Sequence, residues 1–290
     1  MINKFLAAIY RSYSGFKRHI HNNLFLIIGF YGLVSVGFLC LLSLRFVHEI
    51  GPLGEKFRLM LPAWNEAGDV KYILGTDKGG YDIFIQLLLA MRTTLSVALQ
   101  VTLVVTILGG LFSYLLLSFK SLRTLIKTVL RIISSIPPLL IAIVIALFWG
   151  NSLFNLMIVI GLTCLPRFIY NVTQMVSNEM NKTYITVAKL DGLSPWVILN
   201  HSVLPNIRAA YLSEITVLFS NTLLGITTLS YLQFGTTSRY NELGSMMKEM
   251  VSIIDINPWA FIAPGLAILI VIVLVNFLDY GLNLSLSRRE

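Results

Sequence analysis

Charge is what this 290-residue sequence has least of: 12% of its residues are Asp, Glu, Lys or Arg, against roughly 25% in an ordinary soluble domain. Together with 56% hydrophobic residues and a mean hydropathy of +0.78, that scarcity excludes a water-soluble globule and points to a membrane. It excludes intrinsic disorder as well, which needs low hydrophobicity. Cysteine is scarce too: Cys40 and Cys164 both lie inside apolar runs, so a disulfide scaffold is excluded and both read as packing thiols. No Gly-x-x-x-x-Gly-Lys-Ser/Thr stretch occurs, so the chain has no phosphate-binding loop of its own for ATP. No His-x-x-x-His or Cys-x-x-Cys pair offers metal-ligand spacing. The four histidines, His19, His21, His48 and His201, fall at the ends of apolar segments. His201 beside Ser202 makes no catalytic dyad, because adjacent helix positions point in different directions. The sequence therefore offers no catalytic site, metal site or cofactor site of its own. A pI near 9.5 does not imply nucleic acid, since the basic residues form no patch with interleaved aromatics.

Uncharged length is what the chain has in abundance. Leu24–Leu44, Thr93–Phe119, Ile132–Pro166, Ile215–Ser238 and Ile256–Leu278 contain no Asp, Glu, Lys or Arg, and each reaches the ~20 residues that cross a bilayer core. The third run is too long for one crossing and divides naturally at Gly150-Asn151. Six spans follow, near 24–44, 94–117, 130–149, 153–173, 209–234 and 258–280. The first exceeds the ~7–15-residue apolar core of a signal peptide and begins only after the basic lead 1–23, so a retained helix is expected.

Six spans put both termini on one side, and the basic residues decide which. Lys4, Arg11, Lys17, Arg18, Lys120, Arg123, Lys127, Arg131, Arg167, Lys182, Lys189, Arg208, Arg288 and Arg289 fall on the terminal side, 14 of the 22 Lys and Arg. That side is cytoplasmic by the positive-inside rule. The expected organisation is a cytoplasmic tail 1–23, a first transmembrane helix 24–44, an extracytoplasmic loop 45–92, a five-helix core 93–281 with a cytoplasmic segment 174–208, and a cytoplasmic tail 282–290. A second outer segment covers 239–257.

The inner segment reads as helix, break, helix. Tyr184, Val187, Ala188 and Leu190 give a partly apolar face; Gly192 permits a left-handed helix end; Ser194-Pro195 supplies an N-cap with proline in the first helical position. Trp196, Val197 and Leu199 then lead a short second helix towards Leu204-Pro205. An exposed amphipathic helix carrying an aromatic suits a groove of a cytoplasmic partner; a helix lying on the membrane surface is the alternative.

Gly192, eleven residues, then Leu204-Pro205, with Val187-Ala188 ahead of them, resembles the EAA loop of binding-protein-dependent ABC importer permeases, where the loop forms the coupling helix that docks into the ATPase subunit. The resemblance implies ATPase contacts at Ala188, Leu190, Asp191, Gly192, Leu193, Ser194, Trp196 and Val197. Independently, Leu74-Gly75-Thr76-Asp77-Lys78-Gly79-Gly80-Tyr81-Asp82, followed by Arg92-Thr93-Thr94-Leu95-Ser96, is similar to the LGTDxxGRD and RxSL signatures of C-type subunits in the dipeptide, oligopeptide and nickel branch. It implies an extracytoplasmic docking site or gate at Gly75, Thr76, Asp77 and Asp82. Ser135-Ile136-Pro137, Leu229–Gly235 and Pro258-Trp259 agree, so the likeness runs over about residues 60–280. Leu165-Pro166-Arg167, Asn178-Glu179-Met180 and Lys189–Gly192 resemble most the C-type permease of the Sap system, a family linked to antimicrobial-peptide resistance and putrescine transport. Thr186 stands where the family carries the Glu of EAA, Tyr81 where it carries Arg, and Gly225-Ile226 where many relatives carry an acid.

The fold so implied is an all-α integral membrane protein, a six-helix permease with both termini cytoplasmic, in the bacterial inner membrane. Its implied partners are a B-type permease subunit, two ATPase subunits that bind ATP and Mg, an extracytoplasmic solute-binding protein and membrane lipid. Nucleic acid is not among them. The implied cargo is peptides or small cationic solutes, antimicrobial peptides and putrescine included. A self-sufficient secondary carrier or an intramembrane enzyme is the other class; a carrier should show internal repeats, and none is evident. Inside the spans, Glu214 is the acid that needs explaining, because an ionised group there is costly unless it faces protein or water. With Asn221 and Thr222 it forms a stripe lining a translocation pathway; alternatively Glu214 makes a hydrogen bond to a neighbouring helix or, six residues after Arg208, snorkels to the interface from a helix end.

Overall fold

The computed structural model describes residues 23–46, 55–118, 120–235 and 242–287. Most of the tail 1–23, the end of the tail 282–290, and the loop positions His48, Glu49 and Arg239 lie outside the described residues.

A backbone without water must satisfy its own hydrogen bonds, and this one does so with helices. In chain order they are α1 (Leu24–Phe46), α2 (Ile83–Ser118), α3 (Lys120–Ser135), α4 (Pro138–Trp149), α5 (Leu153–Met180), α6 (Thr183–Leu190), α7 (Pro195–Ile198), α8 (Leu204–Tyr231), α9 (Leu243–Met250) and α10 (Pro258–Ser287). Among the described residues, five helical stretches are long and apolar enough to cross a membrane: Leu24–Ser43, Ile83–Leu116, Leu153–Met180, Trp196–Tyr231 and Pro258–Ser285.

The span expected over 130–149 is not one straight helix. Leu125–Ser135 and Pro138–Phe148 meet at 83°. Pro137 disfavours the helical region for Ile136, and Pro138 has no amide to continue the ladder, so α3 stops and α4 starts afresh with Pro138 in its first turn. At ~1.5 Å per residue, the 12 residues of α4 are too few to cross alone.

Other spans are longer than hydropathy suggested, α2 and α5 among them. α2 starts at Ile83, ahead of the expected residue 94, and carries Arg92 within it; α5 continues past 173 to Met180. Hydropathy marks where apolar residues end, and an amphipathic helix continues beyond that point.

α7 and α8 are joined by a π-helical turn, Leu199–Val203, in which the Leu204 amide donates to the Leu199 carbonyl. Pro205 would clash with the carbonyl four residues back in a regular helix, and the widened turn removes that conflict. Pro195–Tyr231 is thus one continuous helical rod.

α1 lies along α10, α2 packs on α5 and α8, α5 on α8, α8 on α10, and α9 wedges between α8 and α10, while α3 and α4 lean on α5. The α1–α10 contact needs small residues: a Cβ on Gly281 would come within 2.6 Å of the Leu26 backbone. The Asn23 amide donates to the Gly281 carbonyl at 3.0 Å. A large apolar core runs through α2, α5, α8 and α9, including Val101, Leu156, Phe168, Leu223 and Met246. A separate small core joins Val176, Ile185, Ile198, Leu199, Val203 and Ile207 at one end of the bundle.

Candidate functional site

The small core is the base of a hairpin made by α6 and α7. α6 ends in a reciprocal cap: the Gly192 amide donates to Lys189 O and the Leu193 amide to Ala188 O, both at 3.2 Å. This cap requires a left-handed residue at Gly192, whose φ is +80°. The return arm opens with Ser194, whose carbonyl accepts from Ile198 N at 3.0 Å and whose hydroxyl faces Val197 N at 3.4 Å. At the foot, the Tyr184 hydroxyl donates to Glu179 Oε1 at 2.6 Å and accepts from Asn206 Nδ2 at 2.9 Å. Lys182 Nζ lies 2.8 Å from Glu179 Oε2. One phenol therefore ties α5, α6 and α8 together, and burial, then the Glu179 carboxylate, push its pKa up.

Burial divides the hairpin into a base and a crest. Ile185 and Ile198 are buried, whereas Leu190 is 82% exposed and Trp196 57%, with Val187, Leu193 and Val197 also exposed. Asp191, Gly192 and Ser194 are exposed on the same crest; Ala188 is not, because it packs partly against the small core. Trp196 stands edge-on to Tyr114 of α2 at 5.4 Å between ring centroids. The arrangement is a firmly held hairpin presenting an apolar crest outside the bundle.

The motif Gly75–Asp82 is the opposite case. Thr76 and Asp77 are 0% and 2% exposed. Asp77 Oδ1 accepts from the amides of Gly79 at 2.8 Å and Tyr81 at 2.9 Å, and Oδ2 from Gln86 at 3.3 Å. Thr76 Oγ1 accepts from Met60 N at 3.0 Å and donates to the Phe57 carbonyl. Gly75 is buried at φ +77°, with Asn257 bonded to the neighbouring Leu74 carbonyl at 2.8 Å. Asp82 caps α2, accepting from Phe84 N at 2.7 Å; burial pushes its pKa up, and the amides of Phe84 and Ile85 oppose that rise. Of the expected docking site or gate, Gly75, Thr76 and Asp77 turn inward and clamp the loop onto α2 and the start of α10, and Asp82 caps α2. Thr94, from the second signature, acts alike, accepting from Leu243 N at 2.9 Å to cap α9.

The expected pathway stripe also separates. Glu214 is partly buried and accepts from Asn171 Nδ2 at 2.8 Å, an α8–α5 bond. Thr222 is fully buried, its hydroxyl donated to Leu218 O at 2.8 Å in its own helix. Asn221 alone of the three is exposed, and it lines a groove of about 190 Å³ between α4, α5 and α8, shared with Pro138, Thr163, Arg167 and Thr228. Arg167, near the end of the expected span 153–173, lies mid-way along α5, which continues to Met180. Asn171, Tyr114 and Asn206 went unremarked because polar residues inside apolar runs declare a partner only once the helices are paired.

Residues 103–288 match the family described as "Binding-protein-dependent transport system inner membrane component". The peptide transport system permease protein SapC of Escherichia coli O6:H1 is 33% identical over 268 residues, 92% of this chain and 90% of the relative. SapC of Haemophilus influenzae is 30% identical over 274 residues, 92% of each. The di/tripeptide transport system permease protein DppC of Pseudomonas aeruginosa is 30% identical over 255 residues, 86% of this chain and 84% of the relative. The chain belongs to the family of inner-membrane components of binding-protein-dependent transport systems and is a non-catalytic permease subunit of an ABC transporter.

Proposed function

We propose that this chain is the C-type half of a peptide transporter, paired with a B-type permease subunit, driven by two ATPase subunits and supplied by an extracytoplasmic solute-binding protein. The observation that carries the coupling part is the hairpin crest. A Leu190 side chain at 82% exposure, on a helix whose other face is locked by a buried core, suits insertion into a partner's groove. Leu190, Asp191, Gly192, Leu193, Ser194, Trp196 and Val197 form that crest, with Ala188 supporting it from beneath. ATP and Mg belong to the ATPase subunits, since the sequence holds no phosphate-binding loop. Peptide as cargo rests on the SapC and DppC relatives. Asn221 marks the pathway side of α8, and Glu214, bonded to Asn171, is the polar layer beneath it.

The test is co-purification. Trp196→Glu and Leu193→Glu should leave the permease pair in the membrane while ATPase subunits are lost from the detergent-extracted complex and ATP-driven peptide uptake falls with them. Full ATPase retention by both variants would remove the hairpin as the docking element.

A further inference from the structure

Arg167 stands near the middle of α5, fourteen residues past Leu153 and thirteen before Met180, about 20 Å from either end at 1.5 Å per residue. It is exposed and, among the described residues, makes no ion pair or hydrogen bond. A guanidinium on a membrane-spanning helix is costly against lipid, and such residues face a water-filled path or a partner. Its surroundings match the first: it lines the groove between α4, α5 and α8 with Asn221, Thr163 and Thr228 among otherwise apolar walls.

We propose that Arg167 receives the terminal carboxylate of the transported peptide in this groove, a role that rests on the peptide reading above. A planar guanidinium matches a carboxylate with two parallel hydrogen bonds, and apolar walls strengthen the attraction by excluding water. The groove, at about 190 Å³, is smaller than the ~300 Å³ at which whole-ligand pockets begin, so it takes one end of a peptide. One helical turn beyond Arg167, Asn171 donates to Glu214, whose carboxylate also interacts electrostatically with Arg167, while the guanidinium lines the groove. A diamine such as putrescine, positive at both ends, is repelled there; a solute with a free carboxylate is drawn in.

The complete transporter, with both permease subunits, the ATPases and the binding protein, is reconstituted in liposomes and assayed with labelled trialanine and its carboxy-terminal amide. Arg167→Gln should lower ATP-driven trialanine uptake about tenfold or more, leave amide uptake within about twofold, and keep the partner permease subunit in the complex. Equal loss on both probes, no loss on either, or release of the partner subunit overturns the assignment; the last makes Arg167 an intersubunit contact. Where the binding protein does not deliver the amide, Arg167→Cys in a version lacking Cys40 and Cys164 decides. Aminoethyl methanethiosulfonate, which restores a cation, should restore trialanine uptake, and the neutral ethyl reagent should not. Equal rescue by both reagents, or by neither, overturns it. A wild-type complex that hydrolyses ATP yet takes up no trialanine overturns the peptide reading itself, a result separable from any behaviour of the variants.

Discussion

The loop segment 55–82 and the hairpin 183–203 both carry family signatures, and the structure uses them in opposite ways. In the loop the signature is polar and buried: Thr76 and Asp77 spend their hydrogen-bonding capacity on backbone amides and carbonyls of their own loop. In the hairpin the signature is largely apolar and exposed, with Leu190 and Trp196 projecting from a packed base. Buried polar groups that are fully bonded fix a conformation; apolar groups left in water invite a partner. A signature of either kind marks importance, and burial then decides whether it is scaffold or surface.

That contrast can be broken experimentally, most severely in the loop 55–82. Asp77→Ala strands the amides of Gly79 and Tyr81, so about 2–4 kcal/mol of stability should be lost, seen as a lower unfolding temperature in detergent. Unchanged stability with weaker solute-binding-protein association would return the loop to a docking role. Gly192→Val should cost about 1–2 kcal/mol through its positive φ alone, because the space around its missing Cβ is open within 4 Å. Faster amide hydrogen exchange confined to the hairpin is the expected signature, and Gly192→Asn should be milder. Tyr184→Phe removes the bond to Glu179 and should cost about 1 kcal/mol. Since the Tyr184 pKa is raised in the folded chain, its contribution is present below the ordinary phenol range near 10 and is lost as pH climbs through the raised value. The alkaline fall in stability should therefore flatten in Tyr184→Phe, and an unchanged alkaline limb would show that the phenol does not clamp the hairpin. Leu190→Ser should move stability by less than about 0.5 kcal/mol and still weaken ATPase-subunit retention. A large stability loss there would mean that the crest is packed.

The sequence disclosed the hairpin well because its signals are local. Gly192 for a left-handed helix end and Ser194-Pro195 for a restart depend on neighbours in the chain, and the backbone follows them. The apolar runs likewise located the membrane helices, but hydropathy cannot tell a straight crossing from the bend at Ile136-Pro137, where proline chemistry outweighs apolar content. What stayed hidden was pairing across helices. Nothing near Glu214 in sequence names Asn171 as its donor, and Tyr114 meets Trp196 only because α2 and α7 converge. Arg167 looks like the end of its span for a related reason: a charge at the edge of an apolar run resembles a boundary, yet the helix continues to Met180.

The unbroken rod from Pro195 to Tyr231 has a mechanical consequence. It carries Trp196 at one end and Asn221 well along its length, with no loop between them to absorb displacement, so a tilt imposed on the crest is delivered to the groove as leverage. The wide turn at Leu199–Val203 is the one place where the rod's angular phase is adjustable. A single-residue deletion there would make the turn regular and set the Pro205 ring against the carbonyl four residues back, so the rod would kink and the lever would lose its stiffness.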